Sequence, residues 1–139
     1  MNPMAAKVLA DRFDHIVLTV NDIEETTKFY ERALGFEREV FSGSDGRPRY
    51  ALRFGNQKIN LQDRSTDTST KAKAPTFGSG DFCLIAAVPL EQVLAHLRAE
   101  NIAIVAGPVT RHGAVGPMRS LYFRDPDGNL VEVSEYVSK

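Results

Sequence analysis

His15 and Glu132 are the residues whose type and setting point most directly to chemistry. His15 lies in the apolar run Phe13 to Val20, a β-branched stretch with the character of a strand. Strand alternation puts it on the side of Val17 and Thr19, while Ile16, Leu18 and Val20 form a wholly apolar opposite side. An imidazole on the mixed side suits a lined cavity better than a core beneath a helix. Glu132 sits between Val131 and Val133 and shares its side with Ser134 and Tyr136. A carboxylate buried there without partners would cost several kcal/mol, so a cation or strong donors are expected beside it. If the sheet is a curved cup built from two halves, its wall can gather His15, Asn60 or Gln62, Asp81 and Glu132. Nitrogen and oxygen donors of this kind suit Mn, Fe, Ni, Co or Zn as divalent ions.

A second set of residues offers binding chemistry. Arg111, His112 and Arg119 lie in or beside the glycine-containing stretch Arg111 to Pro117, which is expected to form a mobile lid whose cations receive an anionic substrate. Solvated loop charges are the plainer alternative. Tyr122 and Phe123 alternate in a strand, so one should line the cavity and the other the core. Cys83, in an apolar run, is expected to be a small buried hydrophobe, and His96 a surface residue on a helix. Glu135 is expected to be solvated near a strand end. Asp125-Pro126-Asp127-Gly128 is β-turn chemistry with Pro at the second position.

The elements that must carry these residues follow from pattern. After the first strand, Asn21 and Asp22 offer a helix cap, and apolar residues recur at helical spacing from Ile23 to Leu34 before Gly35 stops the helix. Strands follow at 36–41, 50–54 and 58–62. The polar stretch 64–80 is a surface linker. Beyond it the order returns as a strand at 81–88, a helix at 90–100, and strands at 102–105, 119–124 and 130–136. Ile23, Thr26, Thr27 and Tyr30 match Leu90, Val93, Leu94 and Leu97, and Ile59 to Leu61 match Val131 to Val133. The chain is therefore an α+β repeat of two βαβββ modules, about 12–63 and 81–137, within a single domain 12–137, and residues 1–11 are expected to be a flexible tail.

Composition excludes several classes of function. The 139 residues carry 17 basic and 18 acidic side chains, without the basic excess of a nucleic-acid binder. No run approaches a membrane span, and the N-terminus lacks a secretory leader, so a cytoplasmic location is expected.

Phe13-Asp14-His15-Ile16-Val17-Leu18-Thr19-Val20-Asn21-Asp22-Ile23, Phe29-Tyr30 with Leu34-Gly35-Phe36, and Tyr122 through Asp125-Pro126-Asp127-Gly128-Asn129 to Glu132 resemble the glyoxalase, bleomycin-resistance and dioxygenase superfamily, also called the vicinal oxygen chelate superfamily. Gln57 to Leu61, Gly78 to Ile85 and Gly107-Pro108-Val109 resemble its glyoxalase-domain-containing protein 5 group. The resemblance implies paired modules forming a U-shaped mixed-sheet cavity, often completed across a homodimer, with one divalent metal. It maps the ligand positions onto His15, Asn60, Asp81 and Glu132. The closer group tends to have His at the position of Gln62, so the expected metal set is His15, Gln62, Asp81 and Glu132. Glu132 is also the candidate catalytic proton carrier, and Arg111, Arg119 and Tyr122 are the candidate substrate contacts. The implied function is a lyase or isomerase, a dioxygenase or a detoxifying transferase acting on a small molecule. A metal-free drug- or metabolite-binding protein is the alternative.

Overall fold

The computed structural model describes residues 7–66 and 68–137. Residues 1–6 of the expected tail lie outside them, and 7–14 carry no helix or strand. The element order is β1 (His15–Thr19), α1 (Ile23–Leu34), β2 (Glu37–Ser42), β3 (Pro48–Phe54), β4 (Gln57–Gln62), β5 (Asp81–Ile85), α2 (Leu90–Ala99), β6 (Ala106–Gly113), β7 (Gly116–Arg124) and β8 (Leu130–Tyr136). Two four-stranded mixed sheets result, ordered β1-β4-β3-β2 and β5-β8-β7-β6. In each, the first strand runs parallel to the last and the remaining pairs are antiparallel. This is the expected α+β repeat. Among the described residues no helix is long and apolar enough to cross a membrane.

Local chemistry explains the helix ends. Asp22 has an extended backbone and its carboxylate accepts from the Glu25 amide at 3.0 Å, satisfying one of the otherwise orphaned N-terminal donors. Gly35 closes α1 at φ 71°, a left-handed conformation that glycine adopts without strain. The second helix has no side-chain cap of its own, and its first amide, Leu90 N, donates instead to Glu135 of β8 at 3.0 Å. Glu135 is thus a cap that favours the positive end of α2, which corrects the expectation of a merely solvated carboxylate.

The modules share one core. Leu18, Tyr30, Leu52 and Ile59 from the first module pack with Leu97, Leu121, Phe123 and Val131 from the second. Burial of each such large side chain contributes about 1.5–3 kcal/mol.

Two expectations change at β6. Residues 102–105 are not a strand: Asn101 takes φ 59° and Ile102 N bonds back to Leu97 O, so the chain is still leaving α2 there. The ladder begins at Ala106 and, after a register shift between Ala106 and Val109, continues to Gly113. Gly107 lies at that shift, where a Cβ would strike the Ser120 carbonyl oxygen. The second change concerns the expected lid. Residues 111–117 are the end of a β-hairpin, because His112 pairs with Pro117 and Gly113 with Gly116, leaving only two residues to turn the chain.

Candidate functional site

Each sheet turns one face toward the shared core and the other away from it. On the outward face of the first sheet, His15 pairs with Lys58, Val17 with Asn60, and Thr19 with Gln62, across the parallel β1–β4 ladder. The His15 side chain is 42% exposed, and its Nδ1 lies 2.8 Å from Asp14 Oδ2. That hydrogen bond is the largest cause holding the Asp14 carboxyl below its ordinary value. Gln62 donates from Nε2 to Thr19 Oγ1 at 2.8 Å. Asn60 differs: its Oδ1 is buried and has no hydrogen-bond partner among the described residues. Such an orphan acceptor calls for a cation or a donor from outside.

On the second sheet, Cys83, Glu132, Tyr122 and Ala106 form one cross-strand row, and Ile85, Ser134, Ser120 and Val109 form the next. Glu132 is half-buried. Its Oε2 accepts from Ser134 Oγ at 3.1 Å, and Ser134 Oγ lies 2.6 Å from Ser120 Oγ. Both serines are fully buried. Because the Ser134 proton goes to the carboxylate, Ser120 donates into Ser134, and a chain of donors ends on Glu132. Cys83 is exposed rather than buried, a correction that follows from β5 being an edge strand with Cys83 on its outward side. Its Sγ lies 3.2 Å from Ser134 Oγ. Partial burial of the sulfur pushes the thiol above its ordinary value; the Ser134 contact opposes this and the charge of Glu132 adds to it.

The other candidates fall in three places. Arg111 shares the row of Met118 and Tyr136 on the outward face, donates from Nε to Tyr122 OH at 3.0 Å, and stacks over the Tyr122 ring. Phe123 is the core member of the Tyr122–Phe123 pair. Arg119 points to the helix side, where it pairs with Glu91 of α2 at 2.8 Å and lies 3.8 Å from Glu135. Gln62 and Asp81 line a cleft of about 480 Å³ between the free edges of β1 and β5, beneath linker residues 70–76. Among the described residues, no three His, Cys, Asp or Glu side chains are grouped closely enough to hold a metal ion. His15 lies on the outward face of the first sheet and Glu132 on that of the second.

The turn before β8 holds these halves together. Asp125 is buried and accepts from Tyr30 OH of α1 at 2.8 Å, from Asn129 Nδ2 at 2.8 Å, and from the Asn129 and Asp127 amides at 3.0 Å. Burial and the neighbouring Asp125 push the Tyr30 hydroxyl far above its ordinary value. Asn129 Oδ1 accepts from Gly80 N at 2.7 Å, fixing the chain immediately before Asp81. Asp127 accepts from Asn21 N at the end of β1. The sequence marked Asp125-Pro126-Asp127-Gly128 as a turn and Ser134 as sharing the side of Glu132, but neither the clasp nor Ser120 was singled out from it. Ser134 shares its strand side with Glu132, whereas nothing local marks Ser120 as its neighbour.

The model for the Glyoxalase/Bleomycin resistance protein/Dioxygenase superfamily matches residues 12–133. The chain belongs to that superfamily. It is 47% identical over 131 residues to virulence protein STM3117 of Salmonella typhimurium, covering 94% of this chain and 88% of that one. The crystal structure of STM3117 aligns with a TM-score of 0.85, covering 94% of this chain and all of the other. Glyoxalase domain-containing protein RDO1 of Mycosarcoma maydis is 44% identical over 123 residues, 88% of this chain and 67% of RDO1. The superfamily fold also extends to lower identity. Lactoylglutathione lyase from Agrobacterium tumefaciens shares 23% identity at a TM-score of 0.67, covering 92% of this chain and 96% of the other. TnmS3, an antibiotic-binding protein from Streptomyces, shares 19% at 0.72, covering 94% of this chain and all of the other.

Proposed function

We propose that the protein is a divalent-metal-dependent enzyme acting on a small molecule in the cytoplasm, related to the glyoxalase-domain-containing protein 5 group, and that its site is completed by a second copy of the chain. The observation that carries this reading is the orphaned, buried Asn60 Oδ1 on the face that bears His15. An amide oxygen and an imidazole from one sheet, with a carboxylate from the other, make a donor set that suits a first-row divalent ion. His15 with Asn60 or Gln62 form one half-site, and Glu132 with Asp81 form the other. A symmetric dimer sets the first half-site of one protomer against the second of its partner.

A bound ion would polarise the substrate's oxygens. Glu132 is held by Ser134 and is the group placed to take or return a proton. Tyr122, directly across the ladder from Glu132, orients the substrate beside it. A lyase or isomerase reaction, oxygen insertion and thiol addition all use such a constellation.

The test is metal content after purification without chelators, repeated on His15→Ala and Glu132→Ala. About one ion per chain in the wild type, lost in each variant, supports the reading; no ion after resupply of Zn, Ni, Mn, Fe or Co sinks it. Mixing the two variants probes the dimer. Randomly formed heterodimers regain one intact site, so about a quarter of wild-type metal content should return.

A second reading, a metal-free binder of a drug or metabolite, is favoured by the amides at Asn60 and Gln62, which are weak ligands, and by the exposed apolar side chains Val17 and Ile85 on the outward faces. TnmS3 offers a precedent within the fold.

A further inference from the structure

Arg111 is a cation on the face that carries Glu132, and no carboxylate among the described residues neutralises it. Arg38, Arg53 and Arg119 are each paired with glutamates, whereas Arg111 has no acid partner among the described residues. Its Nε donates to Tyr122 OH, and its Nη1 donates to the backbone carbonyl of its neighbour Thr110. These bonds and the stacking on Tyr122 fix the plane of the guanidinium while leaving further N–H groups unused. Because the Tyr122 oxygen accepts from Arg111, its own proton is free to be donated elsewhere. A planar fork beside a phenol donor matches the paired oxygens of a carboxylate or phosphate group.

The other cations near the hairpin do not share this position. Arg119 faces the helices and is neutralised there. His112 follows Arg111 in the strand and pairs with Pro117, so alternation turns it to the opposite side.

We propose that Arg111 and Tyr122 form an oxyanion-binding subsite beside Glu132, so that the substrate is a small acid whose carboxylate or phosphate-type group is held here. This deepens the metal-centred function, since it rests on the face carrying Glu132 being the ligand site, but the subsite itself needs no metal. The anionic group lies on the Arg111 side of Tyr122, and the reacting part of the molecule reaches toward Glu132 on the neighbouring strand, about 5 Å away.

The experiment titrates inorganic phosphate into the full chain, stripped of metal and dialysed free of chelator, at constant ionic strength. The Arg111 Nε–H and Tyr122 ring resonances are followed by NMR. Saturable shifts at both groups are expected, with affinity reduced about tenfold or more in Arg111→Gln and partly retained in Arg111→Lys. Arg98→Gln, which removes an exposed charge on α2, should leave binding unchanged. The proposal is overturned if phosphate gives no saturable shift, if Arg111→Gln binds as the wild type does, or if Arg98→Gln weakens binding as much as Arg111→Gln. Because metal is absent throughout, failure of the metal site leaves this result intact, and phosphate binding does not rescue a protein that takes up no metal.

Discussion

The two modules repeat one strand order but finish it differently. In the first, β3 and β4 are joined by the short turn Gly55-Asn56, and the mid-strand polar residue of β4, Asn60, has a buried oxygen without a partner. In the second, the turn from β7 to β8 is a hydrogen-bonded clasp on the other module, and the corresponding residue, Glu132, is supported by Ser134 and Ser120. One half is wired in advance, while the other leaves an acceptor open. Repetition of a backbone pattern therefore leaves each half free to specialise, because cross-strand neighbours rather than strand order decide what a polar residue can bind.

The largest expected effect comes from breaking the clasp, which belongs to the second module. Asp125→Ala strands the buried Tyr30 hydroxyl and the Asn129 amide, and should cost about 3 kcal/mol or more in urea unfolding. A loss below about 1 kcal/mol would mean that the clasp does not hold the modules together.

If Glu132 ligates the proposed ion, Ser134→Ala should weaken its affinity about 10- to 100-fold through loss of the bond that orients Glu132. Thr19→Ala, which removes the partner of Gln62 in the first half, should change it by less than about threefold. Equal effects would erase the distinction.

Asn60→Asp converts the open acceptor into a carboxylate of the same shape. If the orphan oxygen faces the ion, affinity for divalent metal should rise about tenfold, or about 1.4 kcal/mol. A fall would place that oxygen away from the site. The smallest effect is expected at Arg119→Ala. Its ion pairs are partly exposed and lie on the helix side, so stability should change by about 1 kcal/mol or less, with phosphate binding untouched.

Much of the scaffold was legible in the sequence because it rests on local rules. Ile23 to Leu34 and Leu130 to Tyr136 occupy the expected spans, since cap, period and alternation all agree there. The stretch 102–105 misled, because Ile102 and Ile104 turn to the core while Ala103 and Val105 are exposed, an alternation that a strand would also show. The hairpin at 111–117 misled in the opposite sense: its glycines marked a loop by composition, while pairing across β6 and β7 made it sheet. Among the site candidates, alternation placed Glu132 on the same side as Ser134. It carried no information about Arg119 and Arg111 pointing to opposite faces, which depends on where each falls in the β6–β7 register.

The sequence by itself determined the α+β repeat, the strands that carry His15 and Glu132, and the face each presents, because helix caps, turns and two-residue alternation act over a few neighbouring positions. Only the tertiary structure decided that Ser120 supports Ser134, that Glu135 caps α2, that Cys83 is exposed, and that His15 and Glu132 stand on the outward faces of different sheets. Those outcomes depend on ladder register and module packing between residues far apart in the chain, which no local pattern encodes.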